Sequence, residues 1–441
     1  MSVIDVLARS TGEADRAALV SGREVITYGE LGRRVDARAP LARESTPGGP
    51  SPVVPVVLEA DVDGIVELLA LWRAGYVPVP LNGRLTETEV DGAHRALEGV
   101  DLPDGTQVVL WTSGTSGRPR GVALSWANQE ASARAAAERL DLGSDDVWVA
   151  SLSPAHVGGL ALITRSVLLG GTLAVPDDQS TESLSALLDG GAPGSLAPTH
   201  VSLVPTQLLR LLDHRGHRPA PEALRCVLVG GAHAPASLVA RAQQAGWPIA
   251  LTYGATEMSS QMASAPPDLV ESRPGTVGPP LKGVEVSVGD DGELKARGPT
   301  LALGYVGPEA GPLVDADGWY RTGDLGRIDD AGHLWITGRR IDRIVSGGVT
   351  VDAVEIEEAL RAHPAVIDAC VVGLPDEEWG ERVGAWVEPV VGEFEVEELE
   401  RHLRERLAPA KLPRSWRMDG PLPRNANGKV DRAAVRKALT G

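Results

Sequence analysis

Residues Leu110 to Val122 carry the densest concentration of ligand-binding chemistry in the chain. Four hydroxyls (Thr112, Ser113, Thr115, Ser116), three glycines (Gly114, Gly117, Gly121) and two arginines (Arg118, Arg120) follow the apolar run Val108 to Trp111. The run reads as a buried strand and the Gly-rich stretch as the loop at its end. Glycines let the backbone approach a ligand, hydroxyls donate hydrogen bonds and arginines supply fixed charge, a combination suited to a polyphosphate. The loop is not of the Walker type, because the only Gly-Lys pair, Gly428-Lys429, is followed by Val430. The sequence contains no Gly-x-Gly, which excludes dinucleotide fingerprints and kinase glycine loops.

Three further segments could do chemistry. Leu251 to Glu257 runs from a strand into a glycine turn, where Tyr253 could stack on a base, Thr256 bond a phosphate and Glu257 hold Mg²⁺. Trp319 to Asp324 and then Ile336 to Asp342 place Asp324 after a tight glycine turn and Arg339 nearby. A carboxylate so placed can accept both hydroxyls of a ribose, with surface ion pairing as the alternative for either residue alone. In Leu422 to Asp431, Asn427-Gly428 makes a turn that presents Lys429; a lone lysine on a turn is ordinarily just solvated.

These segments need elements to hold them. The chain has 441 residues, too many for one core, and 43% hydrophobic with 23% charged residues describes an ordinary globular protein. Net charge of -18 argues against nucleic acid and against anionic membrane surfaces as partners. Tyr28 opens a helix, Val53 to Leu58 reads as a strand, Ile65 to Ala74 as a helix and Ser45 to Pro52 as a loop. Buried-strand runs at Val108–Trp111, Val147–Ser151, Thr172–Val175, His200–Val204, Cys226–Val229 and Ile249–Thr252 alternate with helices. This pattern predicts a mainly parallel sheet with helices on both faces. Between 275 and 340 short alternating strands such as Val284–Val288 and Glu293–Ala296 suit a small antiparallel β-barrel or sheet. Beyond it, Asp352 to Glu355 reads as a capping box, with Glu355 reaching back to the cap. Val366–Val372 and Arg382–Val387 read as strands. Leu399, Leu403 and Leu407 line one face of a helix that Pro409 stops. The fold class expected is α/β: a large N-terminal domain (1–340) of αβ-layered sheets plus a small β-barrel, then a smaller, mobile α+β domain (341–441) carrying Lys429. Cys226 and Cys370 lie in strand-like apolar runs, as buried thiols of a reducing compartment would. The start of the chain lacks signal-peptide character, and Val157 to Val175 is too interrupted to span a membrane, so a cytoplasmic location without membrane insertion is expected.

Taken in this order, the four motifs resemble those of the adenylate-forming superfamily: acyl- and aryl-CoA ligases, luciferases and peptide-synthetase adenylation domains. The resemblance runs from Tyr28 to Lys429. It implies ATP, Mg²⁺ and, as co-substrate, coenzyme A. It assigns Thr112, Ser113, Gly114, Thr115, Ser116 and Gly117 to the β- and γ-phosphates. Gly230, Gly231, Ala232, Tyr253 and Gly254 flank adenine and the α-phosphate. Thr256 and Glu257 are catalytic, with Glu257 also on Mg²⁺; Asp324 and Arg339 take the ribose, Gly347 and Gly348 a pantetheine tunnel, and Lys429 is the mobile catalytic lysine.

Ser153 to Leu160, Thr164 to Val167, Val204 to Leu208 and Tyr253 to Gln261 narrow the resemblance to the o-succinylbenzoate–CoA ligases of menaquinone biosynthesis. That small-molecule acid has two carboxylates, one activated and one left free. Arg165, in an otherwise apolar stretch, is a bidentate partner for the free one; the alternative is a buried pair with a protein carboxylate. His156 would lie at the mouth of the acyl pocket or else in the core, and Gln261 completes the substrate set. Arg118 and Arg120 stand where relatives carry lysine, and Ile341 to Thr350 departs from the family pattern around the hinge. Another aryl- or acyl-CoA ligase, an amino-acid adenylation domain and a non-catalytic relative remain as alternatives, and a homo-oligomer is left open.

Overall fold

The computed structural model describes residues 14–440 apart from 23, 46–52, 113–119, 192–195, 309, 347–348, 378, 391–394 and 426–428. Its largest sheet has eight strands in the order Ser260–Ala265, Ile249–Ala255, Cys226–Val229, His200–Leu203, Val147–Val149, Thr172–Val175, Ala17–Ser21, Glu24–Thr27. The six inner strands are parallel and both edge strands run antiparallel to them. The apolar runs are continuous because both faces are covered. Along Cys226–Val229, Cys226 and Leu228 point into one core while Val227 and Val229 point into another. The helices Tyr28–Ser45, Val62–Ala74 and Val157–Leu169 fill the first core with Leu31, Leu68 and Leu160. Pro205–Arg215 and Ala236–Gln244 fill the second with Leu208 and Leu238.

The strand expected at Val108–Trp111 is present as Thr106–Thr112, but it is not in the parallel sheet. It pairs antiparallel with Arg120–Ser125, which pairs with Gly304–Val306. The connection through 113–119 is too short for the crossover that a parallel pair requires, so the chain reverses. Of the barrel or sheet expected between 275 and 340, the described residues form the sheet. Glu285–Val288, Glu293–Arg297, Tyr320–Ile328 and Leu334–Arg339 form four antiparallel strands, because Gly304–Val306 leaves to join Arg120–Ser125.

Beyond residue 342 a separate sheet has the order Val349–Asp352, Arg343–Ser346, Gly380–Pro389, Val366–Asp376, with Ser415–Arg417 parallel to Gly380–Pro389. Helices Ala353–Arg361 and Val396–Arg404 cover one face and Arg432–Thr440 the other. Asp352 caps its helix by accepting from the Val354 N–H (3.0 Å), but the expected box is not closed. Glu355 is drawn instead to the Lys411 ammonium at 2.5 Å. Leu399 and Leu403 are buried as expected, and the helix ends at Arg404, before Pro409, while Leu407 still packs on the core. Both cysteines are buried and free, their thiols pushed up to about 12 by burial. No helix among the described residues is long and apolar enough to cross a membrane.

Candidate active site

The site grows from the C-terminal edge of the parallel sheet, where ligands of open α/β sheets bind. Strand Ile249–Ala255 runs into a single 3-10 turn, Thr256–Met258, and the chain returns as Ser260–Ala265. The reversal is tight enough that a Cβ on Gly254 would stand 1.8 Å from the Ser260 carbonyl oxygen. Ser259 (φ 52°) and Ser260 (φ 104°) both sit at positive φ, strain of the kind found around binding sites. The turn projects Tyr253, Thr256 and Glu257 from one strand end. Beside it, a Cβ on Gly230 would meet the Thr252 methyl at 2.5 Å and Gly231 takes φ +76°, so only glycines let this second turn lie close. Ala232 is exposed on that turn.

Asp324 and Arg339 face each other in register on Tyr320–Ile328 and Leu334–Arg339, with Arg339 Nε 2.8 Å from Asp324 Oδ1. The Tyr253 hydroxyl donates to Asp324 Oδ2 at 2.7 Å. Burial and the adjacent carboxylate hold the Tyr253 phenol well above its ordinary range, so it remains a donor. Each carboxylate oxygen keeps a second lone pair for a ligand hydroxyl. Stacking was the role expected of Tyr253; its visible work here is to orient Asp324. If Asp324 holds the ribose, Tyr253→Phe should raise KM for ATP about 10- to 150-fold, the size of one hydrogen bond to a charged group. An unchanged KM in steady-state kinetics would remove Tyr253 from that role.

Lys429 comes within electrostatic range of the same pair. Solvent still reaches its side chain. Desolvation first, then the Arg339 cation, push its ammonium below the usual lysine range, with Asp324 opposing. The structure therefore brings together Tyr253, Asp324, Arg339 and Lys429 from four segments of the chain.

The second cluster lies at the end of the Thr106–Thr112 and Arg120–Ser125 hairpin. Ser113, Gly114, Thr115, Ser116 and Gly117 fall outside the described residues, as do Gly347 and Gly348. Thr112 and Arg120 are register partners at its mouth. The Arg120 guanidinium lies 5.3 Å from the Tyr305 ring centre, and the Tyr305 hydroxyl donates to Glu257 Oε1 at 2.9 Å. Burial, Glu257 and its neighbouring tyrosines also raise the Tyr320 phenol well above its usual range. Among the described residues no three metal-ligating side chains cluster, so Glu257 belongs to no such group. That donor set fits Mg²⁺, which takes one or two carboxylates and completes its shell with phosphate oxygens and water. Sequence reasoning missed Tyr305 and Tyr320. Their scarcity was a usable signal: the chain has 5 tyrosines, and Tyr253, Tyr305 and Tyr320 lie around the two acids.

A small cavity lies nearby, lined by Leu124, Gln129, Ser132, Val157, Ala161 and Arg165 among others. Arg165 is 4% exposed, and its Nε and Nη1 have no hydrogen-bond partner among the described residues. Among the described residues no carboxylate pairs with it; its cation lies 5.0 Å from the Trp148 ring centre. Trp148 in turn stacks on His200 at 4.7 Å, and burial first, with nearby arginines, lowers that histidine to about 4. The arginine thus faces a neutral ring. Burial lowers Arg165 to about 10, which leaves it charged at neutral pH. His156 is the half-buried N-cap residue of the same helix, directly before Val157, which lines the cavity. Gln261 is buried and its Oε1 accepts from the Ser264 hydroxyl (2.9 Å); Ser259, not Gln261, lines the cavity.

Comparison with known proteins agrees with this geometry. Residues 95–306 match the AMP-binding enzyme family and residues 355–429 the AMP-binding enzyme C-terminal domain. The 2-succinylbenzoate–CoA ligase of Bacillus cereus (strain Q1) is 33% identical, with 96% of this chain and 96% of that relative covered. The o-succinylbenzoate CoA synthetase from Bacillus subtilis, in complex with the acyl-adenylate intermediate OSB-AMP, superposes with a TM-score of 0.87. It is 28% identical and covers 100% of this chain and 99% of its own. With ATP and magnesium ion the same synthetase gives 0.86 at 27% identity, covering 99% of both chains. A double mutant bound with the product analogue OSB-NCoA gives 0.71 at 27%, covering 100% and 98%. With a relative above 30% identity along nearly the whole of both chains, this chain belongs to the AMP-binding enzyme family of adenylate-forming acid–CoA ligases.

Proposed function

We propose that the chain is an ATP-dependent acid–CoA ligase acting on 2-succinylbenzoate through an acyl-adenylate, a step of menaquinone biosynthesis. The observation that carries the choice of acid is Arg165, a buried cation with no carboxylate partner among the described residues, at a cavity beside the nucleotide-binding edge. A dicarboxylic aryl acid supplies the missing anion while its other carboxylate reaches the nucleotide. In the first step that carboxylate oxygen attacks the α-phosphorus of ATP and pyrophosphate leaves. Glu257 would hold Mg²⁺, which supplies charge neutralisation on the phosphates. Asp324 and Arg339 fix the ribose, Thr112 and Arg120 stand at the mouth of the phosphate loop, and Lys429 lies between the two reacting anions. In the second step the CoA thiol attacks the mixed anhydride, loses its proton and releases AMP.

Thiol and Lys429 need the same approach, so we take residues 341–441 as a unit that turns against 1–340 near Arg340 to Asp342. That 3-10 turn joins the two sheets, and Asp342 pairs with Arg432 at 3.2 Å. Two free buried thiols suit a reducing compartment, and we place the reaction in the cytoplasm. Thioester formation with 2-succinylbenzoate beside benzoate, a medium-chain fatty acid and several amino acids tests the assignment. Strongly preferential product from 2-succinylbenzoate is expected; preferential turnover of another acid would keep the chemistry and discard the substrate.

The lysine has a pH signature. The protonated form is the working one and its pKa is lowered, so adenylate formation should lose rate at a lower pH than an ordinary lysine would impose. Thioester formation from the adenylate should hold its rate across that window. Alkaline limbs at the same pH for both half-reactions would contradict this.

A further inference from the structure

One polar contact between the two units lies away from the reacting groups. Helix Ala236–Gln244 starts after Pro235 without a side-chain cap. Its open N-terminal end is met instead by Glu358, from the helix Ala353–Arg361 of the C-terminal unit. Glu358 Oε1 lies 2.7 Å from His233 Nε2, and the Ala236 backbone N–H is near enough to favour the charged carboxylate. Arg361, one turn along its own helix, lies 3.8 Å away. Burial raises the Glu358 carboxyl, but His233, Arg361 and the Ala236 N–H outweigh it and hold the group below the usual glutamate range. The result is an ionised carboxylate at the N-terminal end of another unit's helix, where the helix dipole favours it. His233 directly follows the Gly230-Gly231-Ala232 turn, and Glu358 shares its unit with Lys429. The contact exists in the arrangement that places Lys429 beside Asp324 and Arg339.

We propose that His233 and Glu358 form a positioning pair that holds the C-terminal unit in the adenylate-forming arrangement and must part before thioester formation. The pair rests on the two-step reading above, and it touches neither substrate nor reacting atoms. A contact made in only one of two arrangements shifts their populations, so its loss has opposite consequences for the two half-reactions. A merely structural role would lower both.

The test uses the full chain with Glu358→Gln, His233→Gln, the charge-reversed His233→Glu, and His233→Glu combined with Glu358→Lys. Acid-dependent ATP–pyrophosphate exchange reads the first half-reaction; CoA thioester formation from synthetic acyl-adenylate reads the second. His233 is exposed, which keeps its substitutions compatible with folding. Either neutral variant is expected to lower exchange about three- to tenfold while the second half-reaction is unchanged or faster. His233→Glu should lose more, and the double variant should recover most of the loss. Parallel loss in both half-reactions, or exchange at the wild-type rate in Glu358→Gln, would overturn the pair. Absence of acid-dependent exchange in the wild-type chain would overturn the two-step reading beneath it.

Discussion

Lys429→Ala is expected to slow adenylate formation about 10²–10³-fold, as loss of other preorganised transition-state donors does. Thioester formation from synthetic acyl-adenylate should stay within about threefold of wild type. The reacting carboxylate and the α-phosphate are both anions, and the charge that grows on the phosphate oxygens needs a cation already in place. One unit charge at ~4 Å is worth about 4 kcal/mol at an effective dielectric near 20, ample for that loss. The asymmetry follows from where the lysine stands: it adjoins the Asp324–Arg339 pair, and its unit must turn away before the thiol arrives. Rapid-quench measurement of each half-reaction separates the steps. Equal loss in both would mean that Lys429 binds nucleotide generally or maintains structure.

Arg165→Met should lower kcat/KM for 2-succinylbenzoate by about two to three orders of magnitude, mostly through KM, and leave a monocarboxylic aryl acid nearly unaffected. Truncating one side of a buried, hydrogen-bonded charge pair costs about 2–5 kcal/mol, and the monocarboxylic acid never forms that pair. The same substitution should raise the thermal stability of the ligand-free protein. Lowering the guanidinium from 12.5 to about 10 means that burial disfavours the charged form by roughly 3 kcal/mol, a cost that folding bears until an anion arrives. Methionine fills the space without it. Higher Tm with weaker binding is the signature of a site kept for function. Unchanged KM would remove Arg165 from the acid pocket, and a lower Tm would mean that a protein group satisfies it.

Arg165 stood out in the sequence as one charge in an otherwise apolar stretch, and that stretch folds as the helix Val157–Leu169, which buries it. Tyr253, Gly254 and Glu257 were legible because strand-to-glycine turns are local events. Residues whose roles depend on remote pairing were not. Tyr305 reaches Glu257 only because Gly304–Val306 joins the strand after residue 119, and nothing in a three-residue strand names its partner. Val108–Trp111 was correctly read as a strand, but an apolar run does not encode which sheet it enters. Glu355 followed the spacing of a capping box, yet Lys411, 56 residues on, attracts it more strongly. Nothing in the local sequence around His233 or Glu358 points to their pairing, which is a contact between two separately folded sheets.

The most direct test of the central claim is ATP–pyrophosphate exchange with 2-succinylbenzoate and without CoA. Exchange is expected to depend on the acid, to proceed without CoA and to be far slower with benzoate; adding CoA should then yield 2-succinylbenzoyl-CoA and AMP. Exchange that requires CoA, or that runs equally well with benzoate, would contradict activation through an adenylate held by Arg165.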